Sequence, residues 1–160
     1  MTLLGGGLAL LSAGVVYGTD VFFAVVGKPA LERVGDAALT ETMGRLHQVG
    51  DVRMPLFGAT ALLSTLGLSF AAGLGTAASG FALLALVGLG VQLLTYLRVA
   101  GPVNRAQTAA AESGVTPANA RELQRRWDNV IVLRACGMTV GMLGLSLCVL
   151  STVPGLNAPA

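Results

Sequence analysis

Four stretches of this chain, Leu3–Gly27, Met54–Gly75, Ser79–Ala100 and Asn129–Thr152, are each apolar over the length a helix needs to cross a bilayer, about 20 residues. Lipid offers no partner to an open backbone N–H or C=O, so apolar runs of this length have to satisfy their hydrogen bonds internally, as helices. The fold expected is therefore all-α: a four-transmembrane-helix bundle forming a single domain over residues 1–160. Composition points the same way. Only 11% of residues are charged, less than half the share of about 25% usual in soluble domains. Mean hydropathy is +0.74. The first run has no positive residues before it and is too long for a cleavable leader, so it reads as a retained span.

The connections are as informative as the spans. Residues 75–79 make a short link, so spans two and three form an antiparallel hairpin. The 26 residues from Lys28 to Arg53 contain Leu39, Met43, Leu46 and Gly50 at helical spacing, an amphipathic helix expected at the membrane surface. Pro55 suits the first turn of the next helix, and Gly101-Pro102 reads as a stop signal. From Thr116-Pro117-Ala118-Asn119 a capped helix is expected to run unbroken into span four, extending it. All ten lysines and arginines lie in the two long connections or at the span ends facing them. Positive residues stay inside, so the expected topology in the inner or plasma membrane is multi-pass with both termini outside the cytoplasm. The formal charge of +2 is too small and too scattered to suggest nucleic acid.

Helices in lipid gain little from hiding leucine, so small residues mark their contacts. Span one carries Gly6, Ala9, Ala13, Asp20, Ala24 and Gly27 at three-four spacing. Span two offers Thr60, Ser64, Gly67 and Ala71, with Arg53 one heptad before. Span three offers Gly88, Gln92 and Thr95, with Arg98 adjacent. Span four aligns Trp127, Arg134 and Gly141, with Met138 and Leu145 between. Gly14–Gly18 and Gly137–Gly141 are GxxxG matches whose content is packing. The polar members of these seams crowd into one half of the bundle, where a pocket is expected. An intramembrane charge costs at least ~2.5–3.5 kcal/mol on insertion scales, so Asp20 should pair with Arg134 or Arg98. Such a pair can merely lock a bundle. The surrounding Gln92, Thr95 and Trp127 favour a cavity, and two arginines facing one acid would leave positive charge for an anion or a developing oxyanion.

His47 is the only histidine and forms an i, i+4 pair with Asp51. A metal site needs three or four ligands, and no second histidine or Cys-x-x-Cys exists, so no metal is expected. Nor is a cofactor, haem b on one histidine being a minor alternative. Cys136 and Cys148 lie about 18 Å apart along one helix and cannot bridge each other; they read as small packing residues. At the mouth of a polar pocket, His47 would be a near-neutral base.

Three further pieces resemble a known family: Gly18-Thr-Asp-Val-Phe-Phe with Lys28-Pro-Ala-Leu; Gly101-Pro-Val-Asn104; and Trp127 followed by Arg134. In order and spacing they resemble the DUF1772 family of four-helix membrane proteins, which includes the anthrone oxygenases. Members often carry a histidine between the tryptophan and the arginine; this chain has Asp128-Asn129-Val130-Ile131 there, leaving His47 to serve from another element or the activity to differ. The resemblance implies an oxidoreductase, a cofactor-independent monooxygenase acting with O2 on a hydrophobic phenolic or polycyclic substrate. His47 would be the base, with Asp20 as its alternative. Arg134 and Arg98 would stabilise the anion, Asn104 would donate a hydrogen bond, Trp127 would be the aromatic wall, and Gln92 and Thr95 would complete the substrate site. The competing class is a non-catalytic binder of lipid, quinone or haem, a small transporter or an assembly partner. Expected partners are membrane lipid and a hydrophobic small molecule, with a homo-oligomer left open.

Overall fold

The computed structural model describes residues 2–152, with side chains from Leu4. Four helices carry it: α1 (Leu4–Leu31), α2 (Asp36–Ala71), α3 (Ala77–Ser113) and α4 (Ala120–Ser151), each long and apolar enough to cross a membrane. No strand occurs among the described residues. Each helix packs on its sequence neighbour and α4 closes on α1, giving an antiparallel four-helix bundle. The chain is thus a helical multi-pass membrane protein. Its two termini, Met1 and residues 153–160, lie outside the described residues.

Three boundaries differ from the sequence reading, and proline is involved in each. The amphipathic segment is helical, but it joins span two in a single 36-residue helix with Pro55 inside it. Gly101-Pro102 does not stop α3. The helix widens into a π turn at Tyr96–Ala100 and continues to Ser113. The same device, at Phe23–Gly27, carries α1 past Pro29 to Leu31. Proline lacks an N–H and crowds the carbonyl four residues back. A π turn directly before it absorbs an extra residue and lets the helix go on. The fourth helix runs unbroken from Ala120, as expected.

The bundle hides small residues and shows large ones. Ala9, Ala13, Ala61, Ala82 and Ala85 are buried, whereas Leu4, Leu11, Leu63, Leu74, Val87 and Leu143 stand more than half exposed on the outside. That inversion suits a solvent as apolar as leucine itself, where close backbone approach and dispersion replace the hydrophobic effect. The seams expected on α1 and α4 are buried as read, except that Ala24 is half-buried. On α2 the buried residues are Ala61, Thr65 and Leu68, one position on from the expected Thr60, Ser64 and Gly67, together with Ser69; Ala71 is exposed. Cys148 is a core residue; Cys136 faces outward.

Glycine sets the two closest approaches. A Cβ on Gly88 of α3 would sit 2.4 Å from the Gly137 carbonyl oxygen and 2.8 Å from the Gly141 Cα of α4. A Cβ on Gly44 of α2 would sit 2.4 Å from both the Gln107 carbonyl oxygen and the Ala111 Cβ of α3. The second GxxxG match is therefore a contact, while Gly14 and Gly18 touch nothing. Two apolar cores result. One lies within the spans, around Ala13, Leu89 and Met138. The other lies at the charged end, around Leu39, Met43, Val103 and Trp127. The candidate site lies where they meet.

Gly88→Ala should lower the thermal stability of the detergent-solubilised protein by about 1–3 kcal/mol, the usual cost of overpacking. Gly14→Ala, added into open space, should be neutral or slightly stabilising. Equal melting shifts for the two would refute the α3–α4 contact.

Candidate functional site

The junction between the cores is fixed by one ion pair. Asp20 of α1 is 1% exposed at its side chain, and the Arg134 guanidinium of α4 is 11% exposed. Arg134 donates from Nη2 to Oδ1 at 2.7 Å and from Nε to Oδ2 at 3.2 Å. This two-pronged geometry is the strongest an arginine and a carboxylate can form. Asp20 is placed here because α1 carries it on the small-residue face that packs on α4. Each charge needs the other, since an unpaired ion in apolar surroundings is far more costly than the pair.

Beside the pair opens a cavity of about 940 Å³, walled mainly by apolar side chains, within the size range of small-molecule sites. Its charged end gathers His47, Asp51, Asn104 and Trp127. The Trp127 ring stands edge-on to Phe23, with centroids 5.2 Å apart, and lies 5.5 Å from the His47 ring. The Asn104 amide donates from Nδ2 to Asp51 Oδ1 at 2.8 Å. A carboxylate can only accept, so this bond fixes the amide and leaves Asn104 Oδ1 free. A second amide chain runs behind the site: Gln107 donates to Gln124 at 3.0 Å, and Gln124 donates to Asp128 at 2.9 Å.

Three residues lining this end each carry a buried polar atom without a hydrogen-bond partner: His47 Nε2, Trp127 Nε1 and Asn104 Oδ1. The residues are 7%, 4% and 4% exposed. Buried polar groups are nearly always satisfied, and each exception asks for an explanation. One donor, one acceptor and one imidazole nitrogen thus belong to the same end of the cavity, a set that matches a hydroxyl or carbonyl head. His47 lies two turns before Met54, where the apolar run of α2 begins. Burial pushes its pKa from 6.5 down to about 4, outweighing the opposing effects of Asp51 and Gln107. Its imidazole is therefore neutral at physiological pH, with a lone pair to offer.

Six of the residues singled out in the sequence line the cavity: Asp20, His47, Gln92, Asn104, Trp127 and Arg134. Two do not. Thr95 turns its hydroxyl back onto the Val91 and Gln92 carbonyls. Arg98 is exposed and, among the described residues, has no ion pair. Tyr96 lines the cavity instead, at three-four spacing from Leu89, Gln92 and Leu93 on the regular part of α3, and the π turn that begins at Tyr96 shifts the register at Arg98. The expectation of two arginines on one acid fails with Arg98. Asp20 and Arg134 balance one to one, so Arg134 brings no surplus positive charge to the cavity, although its Nη1 N–H groups are not used by Asp20. Asn104 commits one of its two amide N–H groups to Asp51, and Trp127 supplies a further N–H without a partner. Asp51 serves Asn104 rather than forming a metal pair with His47. Among the described residues no three of His, Cys, Asp and Glu are grouped to hold a metal ion. Phe23, Gly58 and Leu62 also line the cavity. No sequence signal separates them from ordinary span residues.

Compared with protein-family models, curated proteins and solved structures, the chain matches none.

Asp20→Asn alone should destabilise the protein by about 3–5 kcal/mol, because it strands the Arg134 charge. Combined with Arg134→Gln, the loss should shrink. Strictly additive losses in the double-mutant cycle would show that the two side chains do not depend on each other.

Proposed function

We propose that this chain is a membrane oxygenase that binds a flat, hydrophobic molecule bearing a hydroxyl or keto group and oxidises it with O2, as the anthrone oxygenases it resembles do. One observation carries the reading: three residues at the polar end of an apolar-walled cavity each hold a buried, unpartnered polar atom, His47 Nε2, Trp127 Nε1 and Asn104 Oδ1. Charge distribution supports an orientation with this end toward the cytoplasm and both termini outside, in the inner or plasma membrane.

The chemistry needs a base, a donor and an apolar slot. An anthrone carries an acidic methylene flanked by two aromatic rings. His47 Nε2 takes one methylene proton, leaving an electron-rich enolate whose oxygen accepts from the Trp127 N–H. The enolate carbon bonds to O2, and the peroxide oxygen recovers the proton from the imidazolium. Loss of water then converts the C–H hydroperoxide to a ketone. One methylene and one O2 give one carbonyl and one H2O, with both electron pairs supplied by the substrate. The low pKa of His47 keeps it neutral and ready to accept, and a bound enolate would raise that pKa by opposing charge. Asp20 and Arg134 hold the wall in place.

The neutralisation of Arg134 by Asp20 favours a second reading, in which the cavity only holds a quinone or lipid head and no proton moves. Oxygen uptake by the purified protein in nanodiscs separates the two. With an anthrone, one O2 should be consumed per ketone formed, faster than autoxidation. His47→Ala should cut turnover about 10²–10⁴-fold while binding persists. No uptake with a panel of anthrones and activated phenols, together with tight retention of a quinone or lipid, would leave the binding reading in its place.

A further inference from the structure

We propose that the cavity is loaded sideways from the bilayer, through a slit between α2 and α3 whose width is set by Gly58, so that the ligand is a membrane-resident amphiphile rather than a water-borne one. The proposal rests on the cavity being the functional site.

The cavity is long. On α2 its lining runs from Glu41 to Leu62, a step of twenty-one residues or about 32 Å of helix, from the charged end well into the apolar run. Its deep walls are Ala59 and Leu62 on α2 and Leu89 and Leu93 on α3. Ala59 on α2 and Leu93 on α3 line the cavity and are exposed, Leu93 to 40%. Exposed lining side chains facing each other across two helices are where we place the opening. At this depth the outside is hydrocarbon.

A second mouth lies beside Glu41 and Arg45, which form a 2.9 Å ion pair there. An apolar body passing that way would have to leave its lipid solvent and cross charged side chains and water, losing about 25 cal/mol for every Å² exposed. At the α2–α3 slit it exchanges one apolar environment for another. The polar head then arrives at His47, Asn104 and Trp127 with the body trailing toward Leu62. The slit also has a physical origin. The α3–α4 pair is locked by backbone contact at Gly88, and α2 meets α3 tightly at Gly44, toward the charged end. Between these two clamps, Gly58 lines the cavity, and a Cβ there would meet nothing within 4 Å. A glycine inside a helix costs about 1 kcal/mol relative to alanine. At Gly88 close packing requires it. At Gly58 what it provides is open width.

Trp127, the only tryptophan, reports occupancy directly through its fluorescence. The probe is anthraquinone, a flat diketone, dissolved in phosphatidylcholine nanodiscs. Quenching should saturate with its mole fraction in the lipid and should not weaken when lipid and probe are diluted together in buffer. Gly58→Leu should raise the half-saturating mole fraction by at least ~tenfold, equivalent to about 1.4 kcal/mol. Ala59→Phe, at the outer edge, should slow the onset of quenching. Gly18→Leu, exposed on α1 in open space, should do neither, and Gly58→Ala, the mildest change, should fall between. Quenching of Gly58→Leu and Ala59→Phe indistinguishable from Gly18→Leu would overturn the proposal. So would slowing by Leu46→Phe, at the charged mouth, in place of Ala59→Phe. If the slit variants behave as expected and no oxygen is consumed, the oxygenase reading fails and lateral loading stands. Oxygen uptake unaffected by these variants is the opposite result.

Discussion

An aspartate and an arginine facing each other among apolar side chains cannot be separated cheaply. Asp20 and Arg134 come from helices α1 and α4, and their two-pronged contact fixes how those helices are rotated and how far along each other they sit. Leucines and alanines could slide or turn by a residue at little cost in lipid; this pair cannot. It stands at the junction of the two cores, so it also determines where the apolar packing of the spans gives way to the polar cavity.

Glycine does the rest of the positioning. Backbone contact at Gly88 against Gly137 and Gly141 makes α3 and α4 a single rigid pair. The long α2 touches the pair tightly at its charged end, through Gly44, and more loosely where Gly58 lines the cavity. A rigid wall carrying Trp127 and Asn104 therefore faces a separate helix carrying His47 and Asp51. The Asn104–Asp51 hydrogen bond ties the two together at the site itself. The amide of Asn104 is consequently more than a binding group: it spends one N–H holding α2 in place, and its oxygen is left without a partner.

Much of this was legible in the chain. Asp20 lies on the small-residue face of α1, and Trp127, Arg134, Met138 and Gly141 share one face of α4, because heptad and three-four spacings survive in an unbroken helix. Legibility failed where helical register changes. Arg98 falls on the expected face only if the helix is regular, and the π turn at Tyr96–Ala100 makes it irregular; Thr95, before that turn, is lost to the site because its hydroxyl bonds back to its own helix. Gly101-Pro102 looked like a stop because proline breaks an ordinary α-helix; the wider turn before it removes the conflict. The α2 seam was read one residue early because in lipid leucine no longer marks the inside. Small residues occur on both faces of that helix, so the phase is weakly written.

The site combines a polar end that wants a partner with an apolar length that can hold a body. Its three unpartnered atoms are the most direct handle, and one can be watched alone. With a single tryptophan, the protein in ¹⁵N-labelled form gives a single indole N–H resonance, that of Trp127. Titrating anthraquinone into nanodiscs should move this resonance to saturation and slow its exchange with water, as the buried donor gains the carbonyl oxygen it lacks. A resonance that stays in place while the ketone fills the bilayer would contradict the account at its centre.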